Sequence, residues 1–394
     1  MPLHLDTRLA HCGRPAMNGD SGPVNVPVVR TSTVRFDSIE AMHAQVRKRA
    51  GGLPISTYGR QGTQTHRALE EAMCELEGGS RAFLTPSGLA AISLTLLALT
   101  APGDHVLAID SVYQPVRKLD AGHLARNGVR VDYFDPLTER IEDRLRPETR
   151  VVYVETPGSL LFEMYDLVPI VAACRERGIS VVADNTWASG YLFNPLALGA
   201  DISLIAGTKY VSGHSDLMLG VIVTRDAAHA SRLATTYEAL GLAVSPDDVY
   251  LALRGLRTMA VRMQQHAHNA LAVARWLAQH PGVDRVYYPA LESDPGHALW
   301  RRDFRGANGL LSVGFRGLAE TQLFAIADAL ALFDIGASWG GYESLVLPAT
   351  ADKLAAHRGW HGTAGVLRLH IGLENTADLI ADLAQAIAGA QAAR

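Results

Sequence analysis

Residues 179–224 read ISVVADNTWASGYLFNPLALGADISLIAGTKYVSGHSDLMLGVIVT. The stretch holds three short apolar runs, at 179–183, 202–206 and 219–224, separated by segments rich in Gly, Asn, Asp and Ser. Continuous Val/Ile/Leu runs of this length are typical of strands that are buried on both faces of a mostly parallel sheet. Because polar residues follow the first two runs, we expect a ligand to bind at the carboxyl ends of these strands.

Similar runs occur upstream, as HVLAID (105–110), VRVDYFD (129–135) and RVVYVET (150–156), with helical stretches between them. The pattern predicts an α/β domain over 61–248, whose first helix HRALEEAMCELEGG ends at a pair of glycines. Residues 1–60 are rich in Gly, Pro and Thr and have little periodicity, which predicts an N-terminal arm that packs on something else. A long helical stretch and alternating runs then predict a smaller α+β domain with an antiparallel sheet over 249–394.

Composition narrows the class of protein. The chain has 394 residues, enough for two to three domains, of which 48% are hydrophobic and 19% charged, as in soluble globular proteins. A net charge of −4 without a broad basic surface argues against nucleic acid as a partner. Cys12, Cys74 and Cys174 are too few and too widely spaced for a disulfide framework or a metal cluster. With neither a signal peptide nor an apolar stretch of membrane-spanning length, we expect a cytoplasmic protein without membrane contact.

The scarcity of lysine limits any chemistry that needs a primary amine. The four lysines are Lys48, Lys118, Lys209 and Lys353. Lys209 follows the run ISLIAG and lies in the polar string TKYVSGHSD, so it is expected at a strand end, where burial would lower its pKa and make it a nucleophile or base. A surface lysine in a turn is the alternative interpretation.

Four further positions suggest how such a lysine would be used. Asp184 ends the preceding run and could hold a pyridinium nitrogen protonated, although a capping aspartate would look the same. The turn at 87–89 opens a helical run, where free N–H groups bind phosphate or serve only as a cap. Tyr113 follows HVLAID and could stack on a flat cofactor and shuttle a proton, or be a core tyrosine. Arg368, among apolar neighbours, needs an anion, either a substrate carboxylate or an internal salt bridge.

Together these motifs resemble the Cys/Met-metabolism family of pyridoxal-phosphate (PLP) enzymes over nearly the whole chain. The matching strings are YGR (58–60), AMCELEGG (72–79), ETPGS (155–159), ADNTW (183–187), TKYVSGHSD (208–216) and RLHIGLEN (368–375). ETPGS and SWGGYESL (338–345) are more similar to strings of the β-lyases, above all cystathionine β-lyase, than to those of the γ-synthases and γ-lyases. The resemblance implies the PLP-dependent aminotransferase-like fold, called fold type I.

The resemblance also assigns roles to the candidate residues. Lys209 would hold PLP covalently and carry protons, Asp184 would pair with the pyridine nitrogen, and Tyr113 would stack on the ring. The residues that would bind the cofactor phosphate are Ser87, Gly88, Leu89 and Thr208.

The remaining roles concern the substrate and a second subunit. Arg368 with Ser338 would hold the substrate α-carboxylate, and Trp339 would line the same site. Tyr58 and Arg60 would cross from a neighbouring subunit to complete the site, Tyr58 also contacting substrate, which gives the arm a purpose. The implied assembly is a homo-oligomer, with a tetramer expected.

Four departures from the family pattern concern the phosphate site and the far half of the substrate. Ala206 replaces a phosphate-binding serine, and Gln61 replaces a second arginine. Lys118 stands where an acidic residue is expected, and Ala337 where a tyrosine is expected.

The leading hypothesis is a PLP-dependent carbon–sulfur lyase that converts a cysteine thioether to a thiol, pyruvate and ammonia by α,β-elimination. The alternatives within the family are elimination or replacement at Cγ, and β-lysis of another cysteine conjugate. A PLP-binding protein without turnover is the third hypothesis. The presence of all four candidate residues argues against it, namely Lys209, Asp184, Tyr113 and Arg368.

Overall fold

The computed structural model describes residues 3–17, 19–358, 360, 362 and 364–392. The strands are β1 (Arg81–Thr85), β2 (His105–Ile109), β3 (Arg130–Phe134), β4 (Thr149–Glu155), β5 (Ser180–Asp184), β6 (Ile202–Ala206), β7 (Gly220–Thr224), β8 (Val283–Tyr287), β9 (Leu310–Phe315), β10 (Asp334–Ile335), β11 (Leu345–Ala349) and β12 (Val366–His370). The helices are α1 (Leu5–His11), α2 (Ile39–Ala50), α3 (Gln64–Glu77), α4 (Gly88–Leu99), α5 (Gln114–Leu119), α6 (Leu167–Glu176), α7 (Ser189–Leu192), α8 (Ala227–Leu240), α9 (Pro246–Leu256), α10 (Met259–Gln279), α11 (His297–Asp303), α12 (Glu320–Ala329), α13 (Ala351–Leu354) and α14 (Thr376–Ala392).

The larger sheet has seven strands in the order β1-β7-β6-β5-β4-β2-β3. All run parallel except β7, which is antiparallel to both of its neighbours. Each apolar run of the sequence forms a strand here, and their Val, Ile and Leu side chains are almost wholly buried. The helices α3, α4 and α6 pack against this sheet. The prediction of a mostly parallel, two-sided sheet is therefore confirmed.

The smaller sheet has five strands in the order β10-β11-β12-β9-β8. Its pairs are antiparallel except for β10 and β11. The long helical stretch ahead of it is divided into α9 and α10. This arrangement agrees with the α+β character expected of the C-terminal part, while the domain boundaries at 60/61 and 248/249 stay predictions.

The N-terminal part contrasts with the rest in its burial. Helix α2 begins at its N-cap Ser38 and buries none of its side chains. Helix α3, which follows the arm, buries one face and ends at Gly78, whose φ of 71° suits a residue without Cβ. Within the part of the chain that the structure describes, no helix is long and apolar enough to cross a membrane.

Candidate active site

A cavity of about 710 Å³ lies at the carboxyl ends of the parallel strands, as the strand pattern predicted. Residues of both sheets line it. From the larger sheet and its connections come Ser87, Gly88, Leu89, Tyr113, Glu155, Asp184, Ala206, Thr208 and Lys209, and from the C-terminal part come Ala337, Ser338, Trp339 and Arg368. The structure thus brings together the predicted site residues except Tyr58 and Arg60.

Lys209 lies in a tight turn directly after β6, where its backbone N–H donates to the carbonyl of Ala206. Its Nζ donates a hydrogen bond of 2.6 Å to Ser338 Oγ and lies 5.2 Å from the centre of the Trp339 ring. Burial, and then the charge of Arg368, lower the pKa of Lys209 to about 8. A substantial fraction of this amine is therefore neutral near physiological pH and able to act as a nucleophile or base.

Asp184 ends β5 and is buried against hydrogen-bond donors. Tyr153 donates to Oδ2 at 2.9 Å, and Thr186 donates to Oδ1 through its hydroxyl at 2.6 Å and its backbone N–H at 3.1 Å. Burial outweighs these bonds and raises the pKa of Asp184. Among the described residues it forms no ion pair within 4 Å, so a cationic N–H entering the cavity would be a strong partner.

Tyr153, Thr186 and Glu155 are parts of the site that the sequence did not reveal. Glu155 ends β4 directly beside Asp184, and its Oε2 accepts the backbone N–H of Tyr113 at 2.7 Å. Burial and the neighbouring Asp184 raise the pKa of Glu155 well above its usual range. The sequence did offer one signal for Tyr153 and Glu155, since the string RVVYVET places a hydroxyl-bearing residue two positions before an acid.

The turn at Ser87 and Gly88 makes a cradle at the start of α4. Ser87 Oγ accepts the backbone N–H of Ala90 at 3.1 Å. The backbone N–H groups of Gly88 and Leu89 lie in the first turn of the helix, where the helix itself offers no carbonyl to accept them. A Cβ on Gly88 would lie 2.7 Å from the Cβ of Ala206, so only glycine fits here. These N–H groups and the helix dipole favour an anion such as a phosphate.

Two neighbours of the cradle contribute less than the family pattern implies. Thr208 lines the cavity, but its hydroxyl donates to the carbonyl of Leu219 at 3.2 Å and accepts the N–H of the same residue at 2.9 Å. Ala206 has no hydroxyl, and its own N–H donates to Thr186 Oγ1 at 2.9 Å. The loss of one phosphate hydrogen bond at Ala206 therefore stays a prediction.

Arg368 lies on β12, with its Nη2 donating to the carbonyl of Ser338 at 2.9 Å. Burial lowers the pKa of its guanidinium to about 10. None of the ion pairs in the described part of the chain involves Arg368, so the internal salt bridge considered from the sequence is not found. A buried cation without a counterion is well suited to a substrate carboxylate.

The residues of the YGR string and its neighbour Gln61 do not line the cavity of their own chain. Tyr58 and Arg60 lie outside the cavity of their own chain, and Arg60 reaches the carbonyl of Glu238 at 3.4 Å. Gln61 Oε1 accepts the N–H groups of Thr57 and Tyr58, so it fastens the arm's own turn.

The expectation that Lys118 lies near the distal end of the substrate stays a prediction. Its side chain is exposed and does not line the cavity, because α5 directs it to the surface. The basic residues that line the cavity, besides Lys209 and Arg368, are Arg117, Lys353 and His357.

The donors and acceptors present fit PLP, which is a flat pyridine aldehyde with a phosphate. The cofactor needs a primary amine for its aldehyde, a carboxyl for its ring nitrogen and a cradle for its phosphate. Lys209, Asp184 and the turn at Gly88 supply these groups in one cavity, and Tyr113 lies exposed at its wall.

Comparison with known proteins agrees with this fit. The family model of the Cys/Met metabolism PLP-dependent enzymes matches residues 6–388. The chain is 51% identical to a cystathionine beta-lyase of Bordetella avium, over 98% of this chain and 97% of that one. It is 43% identical to the cystathionine beta-lyase of Salmonella typhimurium, over 98% of each chain. The solved cystathionine gamma synthase of Xanthomonas oryzae pv. oryzae, in complex with cystathionine, superposes with a TM-score of 0.90 over 100% of both chains at 33% identity.

These findings confirm the fold class and the cofactor that the sequence predicted. The chain therefore belongs to the Cys/Met metabolism family of PLP-dependent enzymes.

Proposed function

We propose that the protein removes the thiol from Cβ of cystathionine, releasing homocysteine, pyruvate and ammonia. The prediction of a PLP-dependent carbon–sulfur lyase of the cystathionine β-lyase type is confirmed by its relatives. The observation that supports the reaction best is the meeting of Lys209 and Arg368 at Ser338. It puts an amine with a lowered pKa and a guanidinium without a counterion within reach of one amino-acid head group.

The chain's own residues supply binding, orientation and proton transfer. Arg368 would bind the substrate α-carboxylate, with the Ser338 hydroxyl beside it. Bound PLP supplies an electron sink next to the substrate Cα. Lys209 Nζ would take the Cα proton as the base, and Asp184 would hold the ring nitrogen protonated from within its buried hydrogen-bond network.

The carbon–sulfur bond then breaks with its electron pair leaving on sulfur, which needs a proton. Burial raises the pKa of Tyr113, so its hydroxyl stays protonated and can donate that proton. The protonated Lys209 is the other available donor. Water taken up by the three-carbon remainder accounts for pyruvate and ammonia.

Product analysis separates this reaction from its alternative. Attack at Cγ of cystathionine would release cysteine, 2-oxobutyrate and ammonia, and the likeness to a cystathionine gamma synthase keeps this second candidate open. We expect pyruvate and homocysteine in equal amounts from the holoenzyme, and neither product from Lys209→Ala. Cysteine with 2-oxobutyrate would refute the β-lyase assignment.

We further propose a homo-oligomer, with a tetramer of two dimers as the expected form. The residues before Gln61 hold seven of the large apolar side chains that the described chain exposes: Leu3, Met17, Val24, Ile39, Val46, Leu53 and Tyr58. Helix α2 buries none of its side chains, which a second copy would cover. In that assembly Tyr58 and Arg60 would complete the partner's cavity.

Mixing two inactive variants tests the shared site. Hybrids of Lys209→Ala and Arg60→Ala subunits should regain activity, since one of the two sites in each hybrid dimer then has both residues intact. Two monomeric, non-complementing proteins would contradict the proposal. The cytoplasmic location expected from the sequence stays a prediction.

A further inference from the structure

We propose that Lys353 and His357 form a distal subsite that binds the amino-acid group at the far end of a thioether substrate. The inference rests on the proposed β-lyase function and extends it to the choice of substrate. In cystathionine that far end carries both an ammonium and a carboxylate. A site that selects it needs a hydrogen-bond acceptor and a cation on the same wall.

Both residues lie on the cavity wall that continues from the α-carboxylate site. On this wall β11 pairs with β12 such that Leu347 is opposite Arg368. Helix α13 follows β11 almost at once and carries Lys353, and a turn then places His357 four residues further on. Leu347, Lys353, His357 and Arg368 all line the same cavity. A substrate held at Arg368 can therefore extend toward this segment.

His357 lines the cavity, and one of its ring nitrogens is held by a carboxylate. Its side chain is only 4% exposed, and its Nδ1 lies 3.1 Å from Glu163 Oε1. Because a carboxylate accepts a proton at Nδ1, the neutral ring has its lone pair on Nε2. Nε2 has no hydrogen-bond partner among the described residues, and it is not among their fully buried, unsatisfied atoms. A substrate ammonium would be a fitting donor to it.

The backbone of Glu163 is held by the chain, and its carboxylate is the partner that orients the His357 ring. The backbone carbonyl of Glu163 accepts the N–H of Gly158 at 2.8 Å, and Gly158 also lines the cavity. The string ETPGS, which ends at Ser159, thereby connects the cofactor end of the cavity, at Glu155, with its outer end, at His357.

Lys353 supplies the cation. Its side chain is exposed at the cavity mouth and forms no hydrogen bond or ion pair with another residue that the structure describes. The adjacent Asp352, also at the mouth, adds a negative charge on the side where an ammonium would enter. Lys48 offers a matched control, since it is an exposed lysine of the same chain that does not line the cavity.

The test compares cystathionine with S-ethylcysteine, which has no charged group at its far end. Loss of one charge-assisted hydrogen bond corresponds to roughly a tenfold to hundredfold loss of affinity. We expect Lys353→Met and His357→Leu to lower kcat/KM for cystathionine by about that factor and for S-ethylcysteine by less than about threefold. Lys48→Met should leave both values unchanged.

A second readout does not depend on turnover. In the inactive Lys209→Ala protein with PLP bound, adding Lys353→Met should weaken equilibrium binding of cystathionine by a similar factor. Equal losses for both substrates with Lys353→Met, or unchanged cystathionine binding, would overturn the subsite. If His357→Leu fails to fold, Lys353→Met still tests the proposal, because Lys353 is exposed and its replacement leaves the core unchanged. Absence of pyruvate from either substrate with the unaltered enzyme would instead reject the proposed β-lyase function.

Discussion

The apoenzyme should take up PLP at a rate that follows the deprotonation of Lys209, because only the neutral amine attacks the cofactor aldehyde. Burial and the charge of Arg368 place the pKa of this amine at about 8, below its ordinary value of 10.5. The neutral fraction is then about 10% at pH 7 and about 90% at pH 9, a roughly ninefold rise that levels off. A lysine with the ordinary pKa would gain about a hundredfold over the same interval without levelling off.

The assay mixes apoenzyme with PLP in a stopped-flow instrument between pH 6 and pH 10 and follows the visible absorbance of the bound cofactor. The reaction of PLP with a small acetylated lysine, measured at each pH, corrects for the cofactor's own titration. Lys209→Ala should show no such absorbance change. Borohydride reduction and peptide mapping should place the label on Lys209.

Replacing Arg368 by Gln sharpens the test. Removing a neighbouring positive charge favours the ammonium form of Lys209, so its pKa rises and uptake at pH 7 becomes slower. The midpoint should still stay below 10.5, because burial is the larger cause. A corrected rate that climbs a hundredfold through pH 9 in the unaltered protein would refute the reasoning.

Three further changes test the surroundings of the site. Tyr153→Phe removes one buried hydrogen bond to Asp184 and should weaken PLP binding by about 5- to 30-fold in equilibrium titrations, with little change in the folded spectrum. Gly88→Ala would force a Cβ to 2.7 Å from Ala206, so we expect a loss of PLP affinity greater than that of Leu89→Ala, and equal affinities would contradict it. Burial raises the pKa of Glu77 to about 7, so this group favours the folded state fully below about pH 4.5 and loses that contribution as the pH rises through 7. Across that window the unaltered protein should lose up to about 3 kcal/mol of unfolding free energy relative to Glu77→Gln, which has no carboxyl to titrate. Urea melts at each pH measure this, and a difference in unfolding free energy between the two proteins that stays constant with pH would refute it.

Much of the fold could be predicted because the strands carry their own signal. The runs at β2, β4, β5, β6 and β7 are largely buried on both faces, so most positions in them are apolar, and the sequence shows this without any knowledge of neighbours. The arm was recognisable only by the lack of such a pattern. Only the structure, which gives the burial of each residue, showed that the arm exposes apolar side chains and that helix α2 is uncovered.

In the site, the residues that sequence could identify are those whose type is unusual for their position. Lys209 is one of four lysines and follows a strand, and Asp184 ends one. Tyr153 escaped notice because a tyrosine inside an apolar run is ordinarily core. Its function depends on the hydroxyl reaching Asp184 on the adjacent strand, which is a property of strand pairing.

The distal end of the cavity shows the limit most clearly. The family pattern pointed to Lys118, whereas the cavity of this chain is lined by Lys353 and His357, which are far from it in sequence. The sequence by itself determined which apolar runs form the strands of the larger sheet, and it singled out Lys209 and Asp184 as candidates, because short-range patterns and rare residues encode them. Only the tertiary structure decided which distant side chains share the cavity and how far burial shifts their pKa values, because both depend on packing between segments that are remote in the chain.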